Sequence, residues 1–87
     1  MTERLEVLET IVPVIRKYLP ERRRDTTITE DTHLSSDLGI NSAFVVDIVL
    51  TLEELLTLEP GDTYAFATIA DLVDYVLAQR NGRPERP

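Results

Sequence analysis

Apolar positions along the chain fall into three periodic runs separated by polar, turn-rich stretches. Over residues 3–19, Leu5, Leu8, Val12, Ile15 and Leu19 recur at three- and four-residue steps, the spacing of one helical stripe. Thr2 can cap the start and Pro20 marks the end. Pro13 lacks an N–H and clashes with the carbonyl four residues earlier, so a kink or break is expected near Val12. Over residues 42–57, Val45, Ile48, Val49, Leu52, Leu55 and Leu56 share one side of a helical wheel. Ala43, Val46, Asp47, Leu50 and Glu54 share the other, with Phe44 at the edge between them. The third run predicts a helix over 69–79, with Ile69, Leu72, Val73, Val76 and Leu77 inward and Asp71, Asp74 and Ala78 outward. Thr68-Ile69-Ala70-Asp71 has the form of a capping box with Asp in place of Glu, and Asn81-Gly82 reads as a helix stop.

No stretch alternates as a strand does, so the fold class is all-α. The expected architecture is a small four-helix bundle of three main helices and one short one. The short helical turn is placed over 63–67, after the turn signal Pro60-Gly61-Asp62, with Tyr64 and Phe66 supplying aromatic packing. Residues 20–41 read as a long loop pinned by Ile28, Leu34 and Leu38, and loops of that length are often functional. Arg22-Arg23-Arg24 within it reads as a solvated turn, with docking as the other reading. One domain covers residues 1–80, and 81–87, with two prolines and two arginines, is expected to be a flexible tail.

Composition narrows the function. The 87 residues suit one small domain with a core of its own. The net charge of −7 argues against nucleic acid, which needs a concentrated basic surface, and favours basic patches on other proteins. With no cysteine and a single histidine, His33, there is no disulfide framework, no thiolate nucleophile and no metal set. No apolar run is long enough to span a membrane and no secretory signal pattern opens the chain. A cytoplasmic monomer without membrane insertion is the expectation.

The stretch that carries chemistry is Asp37-Leu38-Gly39-Ile40-Asn41-Ser42-Ala43. Serine is a favoured helix cap, because its oxygen accepts a bond from an otherwise unpaired backbone N–H, and Asn41 can do the same. A second role is open to Ser42: an exposed hydroxyl at a helix N-terminus can attack a phosphate donor, and the anion formed is tolerated there. Gly39 permits the strained turn that leaves such a hydroxyl outside.

In its wider setting this stretch resembles the attachment site of the acyl carrier protein family. The resemblance rests on Asp31-Thr32 and Leu34 before Asp37-Leu38-Gly39, then Ser42, Asp47, Leu52-Glu53-Glu54 and the run from Thr68 to Val76, in order and at the family's spacing. It implies a four-helix carrier fold with 4′-phosphopantetheine esterified to Ser42 by a separate phosphopantetheinyl transferase. It implies acyl groups held as thioesters on the arm and presented to acyl-loading and acyl-processing enzymes of lipid or polyketide biosynthesis. The carrier itself would not be an enzyme. The docking side would comprise Asn41, Ala43, Val46, Asp47, Leu50 and Glu54. Asn41 stands where the family has an acid and Ala43 where it has leucine, which implies a specialised member. Two other readings compete with this one: a carrier-fold interaction module that is never phosphopantetheinylated, and an unrelated helical regulator whose activity does not need Ser42.

Overall fold

A computed structural model describes residues 3–61 and 65–81. Among them are three α-helices, α1 (Glu3–Arg16), α2 (Ser42–Leu56) and α3 (Ile69–Asn81), and one 3₁₀ turn (Glu21–Arg23). The fold is all-α, and α1 packs against both of the other helices. Residues 1–2, 62–64 and 82–87 lie outside the described part, and with them the expected cap at Thr2, so the expected turn over 63–67 is described only at 65–67, which are not helical. The expected tail over 81–87 is described only at Asn81, which is the last residue of α3, and the rest of it, with Gly82 of the helix stop, falls outside.

The first helix is turned from the expected stripe. Val7, Ile11, Val14 and Ile15 are its buried residues, Leu8 and Val12 are only partly buried, and Leu5 is 53% exposed. Ile15 and Leu19 of the expected stripe are buried, but the rest of the buried side runs through Val7, Ile11 and Val14 at the same three- and four-residue steps, so periodicity alone does not separate the two. Pro13 does not divide the helix, which runs through it. It sits on the exposed side, where water can bond the Glu9 carbonyl that loses its partner. The helix ends at Arg16 because the bonds that follow tighten to three-residue spacing, from Lys17, Tyr18 and Leu19 to Val14, Ile15 and Arg16.

In α2, Val45, Ile48, Val49 and Leu52 are buried as their spacing predicts. Leu55 is not: it is 59% exposed, and Glu53 is buried instead, at 8%. The last turn of α2 is covered on the Glu53 side by Tyr75 of α3, whose hydroxyl donates to Glu53 Oε2 (2.5 Å). The same hydroxyl accepts from Gly61 N–H (2.7 Å), which ties the loop after α2 to both helices. In α3, Ile69, Leu72, Val73 and Val76 are fully buried.

The long loop is fastened as expected by Ile28, Leu34 and Leu38, and Ile40 joins them. The arginines do more than face water. Arg16 donates to the carbonyls of Arg24 and Thr26, Arg24 to that of Leu19 (3.3 Å), and Arg23 to that of Asp37 (3.1 Å). Arg4 joins α1 to both the loop and α3 by pairing with Glu30 and Asp74.

The capping box forms as its spacing predicts. Asp71 Oδ2 accepts from the backbone N–H groups of Thr68 (3.1 Å) and Ala67 (2.8 Å), and Thr68 Oγ1 accepts from Asp71 N–H (3.3 Å). The bonds from Ala67 and Thr68 hold the Asp71 carboxyl below its ordinary pKa. A group whose pKa is lower folded than unfolded contributes stability above its unfolded pKa and loses it as pH falls through the folded value. The melting temperatures of wild type and Asp71→Asn should therefore differ at neutral pH and converge as pH falls below the ordinary aspartate range. A gap of constant size across that range would contradict this account of the cap.

Candidate functional site

The segment before α2 is a knot of short-range bonds. Asp37 and Leu38 N–H groups donate to the His33 carbonyl, Gly39 N–H to that of Ser35 (2.9 Å) and Ile40 N–H to that of Leu34 (2.8 Å). Gly39 takes a φ of +70°, a left-handed conformation that costs an L-residue roughly 1–2 kcal/mol. Buried Leu34, Leu38 and Ile40 anchor the knot below, so the chain emerges at the surface at Asn41.

Asn41 is the cap of α2. Its backbone is extended and its Oδ1 accepts from Phe44 N–H (3.0 Å), while its carbonyl accepts from Val45 N–H (3.0 Å). Ser42 is thereby released from capping. It is the first helical residue, it is exposed, and its hydroxyl has no hydrogen-bond partner among the described residues. Sequence alone left the two residues equivalent as caps, and the geometry separates them.

Two shallow pockets open beside Ser42. One of about 320 Å³ has a polar rim of His33, Ser35, Ser36 and Asn41 and an apolar wall of Leu34, Ile40 and Val45. The other, about 340 Å³, runs past Val45, Ala65 and Phe66 to Asp71. Phe66 and Ala67 line both. The 65–67 segment is placed there by an isolated antiparallel bridge, His33 to Thr68, flanked by bonds from Leu34 N–H to Ala67 carbonyl (2.9 Å) and Ile69 N–H to Thr32 carbonyl (3.0 Å). Sequence reasoning missed Ser35, Ser36 and Ala67 as lining residues, and it gave Phe66 only a packing role, because a bridge across more than thirty residues leaves no local signal.

Of the residues expected to dock partners, Asn41, Ala43, Asp47, Leu50 and Glu54 are exposed and Val46 is half-buried. They follow one another down the outer side of α2 from the Ser42 end. Phe44, 44% exposed, extends this side and meets the ring of Tyr18 at 5.9 Å.

The family model for the phosphopantetheine attachment site matches residues 9–76. The chain belongs to the acyl carrier protein family. Among its relatives is an acyl carrier protein of Prochlorococcus marinus (strain MIT 9515), 27% identical over 77 residues that cover 86% of this chain and 94% of that one. No solved structure matches at the same stringency. The chain is therefore a carrier and not a catalyst, and its prosthetic group is covalent 4′-phosphopantetheine. The residues present fit that group: an exposed, unengaged hydroxyl opens a helix whose first N–H groups favour an anion, beside pockets with polar and apolar walls. Its partners are a transferase that installs the arm and enzymes that act on acyl groups. Among the described residues, no helix is long and apolar enough to cross a membrane.

Proposed function

We propose that Ser42 carries the 4′-phosphopantetheine arm, and that the carrier holds acyl intermediates as thioesters on it for biosynthetic enzymes acting in sequence. The observation that carries this reading is the division of labour at the start of α2: Asn41 caps, and the neighbouring Ser42 hydroxyl is exposed and unengaged. In the transfer, Ser42 Oγ attacks the β-phosphorus of coenzyme A in the transferase's site. A new P–O bond joins Oγ to the arm, the P–O bond to adenosine 3′,5′-bisphosphate breaks, and the serine proton passes to the enzyme's base. The arm then supplies a terminal thiol for thioester exchange.

The chain's own contribution is positioning. The Gly39 turn and the buried leucines hold Ser42 outward, and the first turn of α2 stabilises the phosphodiester. Asn41, Ala43, Val46, Asp47, Leu50 and Glu54 present an apolar stripe edged with acid to enzymes whose docking patches are basic. Asp47 and Glu54 steer the encounter, while Leu50 and Val46 give contact. Ala43 in place of a larger side chain narrows the set of enzymes that fit. We place the carrier domain at residues 1–80, acting as a cytoplasmic monomer.

The absence of cysteine makes the test simple, since the unmodified chain has no thiol. After treatment with coenzyme A and a broad-specificity transferase, and removal of small molecules, titration with a thiol reagent should find a single thiol per chain. Acyl loading should abolish it, and hydroxylamine should restore it. A thiol that acyl loading leaves untouched would contradict the carrier role.

A further inference from the structure

His33 holds a position at the site that the carrier reading does not use. Its backbone N–H donates to Asp37 Oδ2 (2.8 Å), and its ring Nδ1 lies 3.6 Å from the same oxygen. One carboxylate thus bonds the main chain and lies close to the ring. The ring lines the pocket beside Ser42, and of the ten residues lining that pocket it is the only one able to carry positive charge. Its Nε2 has no partner among the described residues.

The charged groups around the ring come from three elements. Asp37 belongs to the same loop. Asp71, at the start of α3 across the bridge to Thr68, has its carboxyl lowered in part by the charge of His33. Arg23, from the 3₁₀ turn, reaches the Asp37 carbonyl and approaches the place where a Cβ on Gly39 would stand, at 3.6 Å. A protonated imidazole in the pocket that opens at Ser42 is a ready contact for an anion attached there.

We propose that His33, held by Asp37, contacts the phosphodiester on Ser42 and sets the direction in which the arm leaves the helix. This inference rests on Ser42 as the attachment residue. A phosphodiester carries a single charge throughout the neutral range and does not titrate there. Any pH-dependent change in its phosphorus signal near neutrality therefore reports a neighbour. Carboxylates titrate well below imidazole, and arginine does not titrate in this range, so the midpoint identifies that neighbour.

The experiment is phosphorus NMR of the phosphopantetheinylated chain between acid and mildly alkaline pH, with the His33 ring protons followed on the same sample. The phosphorus shift should move with a midpoint equal to that of the ring protons, and the step should be lost in His33→Gln. A flat phosphorus signal in the wild type overturns the proposal. So does a step that persists in His33→Gln or does not share the midpoint of the ring protons. The wild-type comparison decides even if the variant folds poorly. Intact mass comes first, and a chain that takes up no arm either as wild type or with Asn41→Asp and Ala43→Leu in place overturns the Ser42 reading and this one with it. A modified chain with a flat signal overturns this one alone.

Discussion

Ile11→Ala should destabilise the domain by about 2–5 kcal/mol, whereas Leu5→Ala should cost less than about 1 kcal/mol. Both are apolar residues of α1, and the sequence places Leu5 on the expected stripe. The structure leaves Leu5 53% exposed and Ile11 fully buried. Removing three carbons from Ile11 forfeits their transfer free energy and leaves a cavity between α1 and the helices packed on it. Small domains are stable by only about 5–15 kcal/mol, so this one substitution takes a large share of the total. Urea denaturation read by circular dichroism measures both variants. Equal losses would mean that the first helix presents a different face from the one described.

Ser42→Ala and Asn41→Ala should have opposite effects. Ser42→Ala should abolish modification completely and change stability by no more than about 0.5 kcal/mol, because the Ser42 hydroxyl holds nothing in the fold. Asn41→Ala should cost about 1 kcal/mol, because it leaves Phe44 N–H without its acceptor. Asn41→Asp should keep the cap and add a charge that favours the helix dipole, so its stability should match or exceed wild type. Thermal melts and intact mass on one set of proteins test the three together. A large loss of stability in Ser42→Ala would mean that the hydroxyl is structural.

The division between what was legible in the residues and what was not follows from range. The capping box at Thr68 to Asp71 was readable because all its bonds lie within five residues. The buried face of α2 was readable as far as Leu52, where both sides of the helix are decided by the core. It failed at Glu53 and Leu55, because Tyr75, twenty-two residues later, decides which side of the last turn is covered. The stripe of α1 was misplaced because two registers of apolar residues share the same steps. Pro13 misled for a related reason: its cost depends on whether the freed carbonyl meets water. The Arg22 to Arg24 run looked like solvated charge because its acceptors are backbone carbonyls, which carry no sequence signature. At the site, the motif points to Ser42, and the cap geometry assigns the capping role to Asn41. The pocket walls from Phe66 and Ala67 depend on the His33 to Thr68 bridge, which no local pattern announces.

The central claim is that Ser42 carries the arm, and the most direct test is peptide mapping by mass spectrometry after incubation with coenzyme A and a broad-specificity transferase. The expected result is one phosphopantetheine increment on the peptide that contains Ser42, and none on Ser42→Ala. If the wild type stays unmodified, Asn41→Asp with Ala43→Leu restores the acid and the leucine that the acyl carrier family has at these positions. A chain that also stays unmodified with both in place, or an increment mapped to any other residue, would contradict the account.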